Sequence, residues 1–176
     1  MIGEFGATAS WISPLEERIH RASARASLAT GVPLSVHAIH SEVGLLQLDL
    51  FEEEGVDPAR VAIGHCDSWP MIGYWRALAQ RGTYVQIDNI GHQQVHHEDR
   101  LAALIKQMVD EGHADRILLS HDMGLAPELR YYGGRGLTYL FETFLPILRK
   151  AGVSESAITR FTVDNPKRFL SIGQRP

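Results

Sequence analysis

Residues 33–65, PLSVHAIHSEVGLLQLDLFEEEGVDPARVAIGH, hold a complete strand–helix–strand unit. Pro33-Leu34-Ser35-Val36-His37 reads as a short apolar strand ending on a polar residue. A helix from about Ser41 to Glu54 follows and stops at Gly55, since glycine readily takes the left-handed conformation that closes helices. Val61-Ala62-Ile63-Gly64-His65 is then a buried strand, again ending in histidine. Strands joined through a helix lie parallel, with helices covering the sheet.

The alternation continues in both directions. Upstream, Met1 to Phe5 reads as a strand, and the next helix is well marked. Ser13 caps it, Pro14 suits its first position, and Glu16 completes a capping box. Leu15, Ile19, Ala22, Ala26 and Ala29 recur at helical spacing until Gly31 stops the run. Downstream come a helix from Met71 to Gln80, a strand from Thr83 to Asp88, a helix from Glu98 to Glu111 and a strand from Arg116 to Ser120. A helix from Leu137 to Arg149 and two short helical segments, near Ser154–Phe161 and Pro166–Leu170, complete the chain. The pattern is α/β with five strand–helix units. A closed eight-unit barrel takes about 250 residues. The 176 residues therefore suit either an open doubly wound sheet or the C-terminal part of a barrel, and periodicity does not separate them.

Composition excludes several function classes. A net charge of -4 with no basic run offers nucleic acid no footprint. No apolar stretch approaches the ~20 residues that span a bilayer, so no membrane partner is expected. The N-terminus lacks a basic segment followed by an apolar core, and a cytoplasmic location is expected. Cys66 is the only cysteine, which rules out an intrachain disulfide and a cysteine-based zinc cluster.

Polar residues at the ends of apolar strands carry the chemistry. Glu4, His37, His65, Asp88 and Asp122 all fall at or just beyond a strand's C-terminal end, the edge on which parallel α/β folds build sites. Any one of them alone reads as a packing or capping residue. Two imidazoles and several carboxylates on one rim together suit a divalent cation such as zinc or manganese. The other histidines point to less. His20 reads as a surface or hydrogen-bonded helix residue, His40 and His113 as ordinary, and His96-His97 as part of a solvated loop. His121 adjoins Asp122, yet strand alternation turns its side chain the other way. Cys66 reads as a small packing residue.

Ile2-Gly3-Glu4-Phe5-Gly6, the run from Ala24 through Gly31-Val32-Pro33 to His37, Ile63-Gly64-His65, Leu119-Ser120-His121-Asp122 and Asp164-Asn165-Pro166-Lys167-Arg168-Phe169-Leu170 occur in an order that resembles the phosphotriesterase family. The resemblance covers essentially the whole chain. It implies a TIM-type (β/α)8 barrel, of which residues 1–176 would be an incomplete domain holding the C-terminal five strand–helix units. It also implies a two-metal centre, with Zn2+ the leading candidate and Mn2+ or Co2+ the alternatives. The substrate would be a small ester, lactone or phosphotriester.

By position, His37 and His65 resemble the two imidazole ligands of one metal. Asp122 resembles the carboxylate that binds the other metal and takes a proton from the attacking water. Glu4 falls where many members carry a bridging carboxylated lysine, and its two oxygens can still span two cations. The family's His-x-His pair has no counterpart, because the resemblance begins at the fourth strand. That departure puts the second metal in doubt.

Arg130 and Tyr131, in the glycine-rich segment after Asp122, are candidate substrate-binding residues, and Asn89 and His92 are similar candidates. A second reading makes the chain a catalytically inert fragment with at most one metal site. It would expose unpaired strand edges, along which a homo-oligomer could form. A third, an unrelated open-sheet protein, lacks the glycine-rich fingerprint expected after its first strand.

Overall fold

The computed structural model describes residues 1–92 and 98–172, so the His96-His97 pair lies outside the described residues. Five parallel strands form one sheet in sequence order: β1 (Ile2–Ala7), β2 (Leu34–Ala38), β3 (Val61–Ile63), β4 (Tyr84–Ile87) and β5 (Ile117–Leu119). Helices α1 (Pro14–Thr30), α2 (Val43–Glu53), α3 (Ile72–Gln80) and α4 (Glu98–Asp110) form the crossovers. Three shorter helices, α5 (Leu145–Lys150), α6 (Glu155–Thr159) and α7 (Asn165–Leu170), follow β5. The core lies between sheet and helices, built on Leu34, Val36, Phe51, Ile63, Trp75, Leu78, Ile87, Ile105, Phe144 and Phe161.

The capping box at α1 forms as the sequence requires: the Glu16 amide donates to Ser13 Oγ, and the Ser13 amide donates to Glu16. Gly31 ends the helix at a φ of 72°. The stripe read from the sequence is not the buried one, however. Leu15 and Ile19 are exposed, and His20, Ala24 and Ser27 face inward instead. Small residues bring the helix close to the sheet, and Ser27 fixes the approach by donating to the Val32 carbonyl.

His20 is therefore neither a surface residue nor a fully satisfied one. Its ring packs between Phe5 and Phe51, with Nδ1 donating to the Glu16 carbonyl and Nε2 buried without a partner. Burial lowers its pKa below the ordinary value of 6.5, which the unfolded chain keeps. Stability from this group is present above that value and is lost as pH falls through the lower folded one. The urea midpoint should accordingly drop more steeply on acidification in the native chain than in His20→Phe. Parallel pH curves for the two would remove His20 as a cause.

The C-terminal helices differ from the sequence reading. The expected helix from Leu137 starts only at Leu140, and its first turn, Leu140–Phe144, is a wide π-turn preceding α5. The two expected short segments are one continuous helical run, with a second π-turn, Arg160–Asp164, joining α6 to α7. Both π-turns stop two residues before a proline, Pro146 and Pro166. Proline has no N–H to donate and its ring crowds the carbonyl four residues back, so the helix widens locally and continues. No described helix is long and apolar enough to cross a membrane.

Candidate metal centre

Glu4 lies inside β1, three residues before its end and not at or beyond it as the sequence suggested, because the strand runs on to Ala7. His37 belongs to β2 and His65 follows β3 by two residues, and their ligand atoms still meet. His65 has a φ of 53° and Asp122 a φ of 49°, a region non-glycine residues rarely occupy. These backbone turns lie at the ends of strands whose regular alternation they interrupt, and such strain tends to collect at functional sites. Gly64 makes the approach possible. A Cβ there would sit 2.8 Å from the Val36 carbonyl oxygen and 3.3 Å from the Asp88 carboxylate. Gly64→Ala should therefore part β2 from β3 at the site, lowering the thermal midpoint and metal retention together.

One ligand atom each from Glu4, His37 and His65 lies within 4.8 Å of the others. His65 Nε2 is 2.6 Å from Glu4 Oε1, and His37 Nδ1 is 3.6 Å from that same oxygen. Donors held at about 2.0–2.1 Å from one cation stand roughly 3–4 Å apart. The donor chemistry suits a divalent cation and the His37–Glu4 pair stands at ligand spacing, while His65 and Glu4 are at hydrogen-bond distance and would have to part slightly to share a cation.

Asp88 does not join the trio. It accepts from His65 Nδ1 at 3.0 Å, from the His65 amide, and from Gln86 Nε2 at 2.6 Å. This carboxylate fixes the His65 ring with Nε2 toward Glu4, the arrangement that orients a ligating histidine. Burial opposes charge on the His65 ring. The Asp88 hydrogen bond and the carboxylates of Asp88, Glu4 and Asp122 outweigh it and push the imidazole up to about 9.

Asp122 stands beside the trio, with Oδ2 3.9 Å from His65 Nδ1. Partial burial and the charges of Asp88 and Glu4 raise its pKa, against the opposing pull of His65 and His92. His121 lies beyond β5, and its own hydrogen bonds, not strand alternation, direct its ring. Its Nδ1 faces the Ile90 carbonyl and its Nε2 the Leu137 carbonyl, tying together the segments after β4 and β5. Cys66 is buried with its thiol on the Ile63 carbonyl, and burial pushes its pKa well up, which suits packing and not nucleophilic attack.

The remaining candidates occupy specific places. Arg130 pairs with Glu142, and the exposed Tyr131 ring packs edge-on against Tyr132. His92 Nε2 is 3.2 Å from Glu128, and the two help line a cavity of about 210 Å³ with Met123, Leu125 and Arg135. Asn89 turns inward, where its amide bonds to Asp67 and Asp88. Asp67 was invisible to sequence reasoning, because it sits in a turn after His65 where an acidic residue ordinarily reads as a solvated cap.

The model of the phosphotriesterase family matches residues 1–170. The chain belongs to the phosphotriesterase family. It is 36% identical to the phosphotriesterase homology protein of Escherichia coli over 170 residues, covering 97% of this chain and 58% of that one. The crystal structure of that relative, with phosphate in its active site, superposes with a TM-score of 0.94 over 97% of this chain and 59% of its own. A lactonase from Listeria monocytogenes, 30% identical, superposes with a TM-score of 0.91 over 97% of this chain and 54% of its own. The aryldialkylphosphatase of Saccharolobus solfataricus is 32% identical over 165 residues, 88% of this chain and 52% of that protein. The five parallel strands thus correspond to part of a TIM-type barrel, and the chain spans somewhat more than half the length of these family relatives.

Proposed function

We propose that this chain carries the metal-binding and proton-accepting part of a hydrolase acting on a lactone, carboxyl ester or phosphotriester. The observation that supports it is the Glu4–His37–His65 trio. Its setting within a family whose relatives include a lactonase and an aryldialkylphosphatase narrows the bond type. Zn2+ is the cation we favour, with Mn2+ and Co2+ as alternatives. A divalent cation bound there would supply Lewis acidity, polarising the ester oxygen and lowering the pKa of water toward neutrality.

The chain's own residues divide the remaining work. His37, His65 and Glu4 would hold the cation through two imidazole nitrogens and a carboxylate, and Asp122 would stand beside it. Asp122, whose pKa is raised by its surroundings, accepts the proton of the attacking water. We assign Arg130 and Tyr131 to the substrate's anionic or carbonyl group, which requires Arg130 to exchange Glu142 for substrate. We place this activity in the cytoplasm.

Asp122→Asn should leave metal content at the trio unchanged and lower turnover about 10²–10⁴-fold, the usual contribution of a positioned base. Undiminished turnover in that variant, with metal retained, would remove Asp122 from the mechanism. A second reading, that residues 1–176 alone are inert, is favoured by β1 and β5 each pairing on one side only among the described residues. Assay of the Zn2+-loaded chain against lactones and aryl phosphotriesters separates the two.

A further inference from the structure

We infer that Asp67 is a positioning residue for His65, acting through Asn89 and Asp88 and touching neither cation nor substrate; this rests on the metal reading of the trio above. Asp67 is fully buried, and its carboxylate accepts twice from Asn89: the amide N–H to Oδ2 at 2.8 Å and Nδ2 to Oδ1 at 2.8 Å. Burying a carboxylate beside neutral donors, with a second carboxylate close by, is costly. Such an arrangement persists when the surrounding structure depends on it.

The dependence lies in the two hydrogens of the Asn89 side-chain amide. One goes to Asp67, and the other reaches Asp88 Oδ1 at 3.3 Å. That same Asp88 oxygen accepts from His65 Nδ1 at 3.0 Å. Asp67 therefore fixes the plane of the Asn89 amide, Asn89 helps seat Asp88, and Asp88 holds the His65 ring with Nε2 2.6 Å from Glu4. Without Asp67 the Asn89 amide is free to turn, and Asp88 loses a donor on the oxygen that orients the ring. The members lie on two segments: Asp67 after β3, Asp88 and Asn89 after β4. The network thus couples the position of β4 to a ligand carried by β3.

The test uses the 176-residue chain as Asp67→Asn, Asn89→Ala and the double variant, with two readouts. Zn2+ affinity, by competition with a chelator, should fall roughly 10–100-fold in each single variant, the usual effect of losing an outer partner of a ligating histidine. In the metal-free chain, the downfield NMR signal of the His65 Nδ1 proton should broaden or vanish, while far-UV circular dichroism stays native. The double variant should bind no more weakly than the weaker single one, since both act along one path. Native affinity with an unchanged His65 signal in either folded single variant overturns the inference, as do additive losses in the double. Failure of the native chain to bind Zn2+ would sink the metal reading, and the His65 signal would still decide the role of Asp67. Should Asp67→Asn not fold, Asn89→Ala decides alone, because it leaves every carboxylate in place.

Discussion

His65→Ala is expected to abolish retention of a divalent cation by this chain. Among the described residues the ring supplies one of three donor atoms gathered within 4.8 Å. It is also the member on which the buried polar groups converge, through Asp88 at Nδ1 and Glu4 at Nε2. Loss of an outer partner costs a metal site roughly 10–100-fold in affinity, so loss of a ligand should exceed about 100-fold. The variant should also leave Asp88 buried without its imidazole partner, lowering the thermal midpoint. Metal analysis after dialysis checks the first effect. A His65→Ala chain that still carries a full equivalent of Zn2+ would place the cation elsewhere.

The second large effect concerns stability. Trp75 on α3 is fully buried, and its indole N–H donates to the Cys66 carbonyl at 2.9 Å. That carbonyl follows His65 directly, so the side chain clamps α3 onto the segment carrying a candidate ligand. Trp75→Ala removes the largest buried side chain in the protein and strands the Cys66 oxygen. We expect a loss of about 3–5 kcal/mol, a large part of the ~5–15 kcal/mol that domains typically possess. A urea midpoint unchanged within error would mean the indole contributes no net packing energy.

Much of this was legible in the amino-acid sequence because strand ends interrupt apolar runs with residues that have little reason to be there. Glu4, His37 and His65 stood out in that way, and parallel pairing brings their ligand atoms together. Asp88 stood out equally, yet its role did not. Whether a carboxylate at such a position ligates or braces depends on where neighbouring strands aim their side chains, and Ile63 pairing with Val85 sets that alignment. Asp67 left no signal at all. The inward face of α1 was misread because burial there goes to His20, Ala24 and Ser27, which a search for large apolar residues passes over. The helical run through Pro166 was cut in two, since proline is ordinarily read as a stop and not as the cause of a widened turn.

The strand order, identical to the order along the chain, governs how the molecule emerges during synthesis. Each strand's partner is the next one made: Leu34 pairs with Val61, Ala62 with Tyr84, and Val85 with Ile117. Among the described residues every strand pairing joins consecutive strands, so these pairings can follow translation from the N-terminal side. Glu4, His37 and His65 are all present once the third strand has left the ribosome, whereas Asp88 arrives 23 residues later (88 minus 65). At roughly 5–20 residues per second the interval is about 1–5 s. For that time His65 lacks its brace, and the nascent chain holds its candidate metal ligands before it holds the group that aligns them.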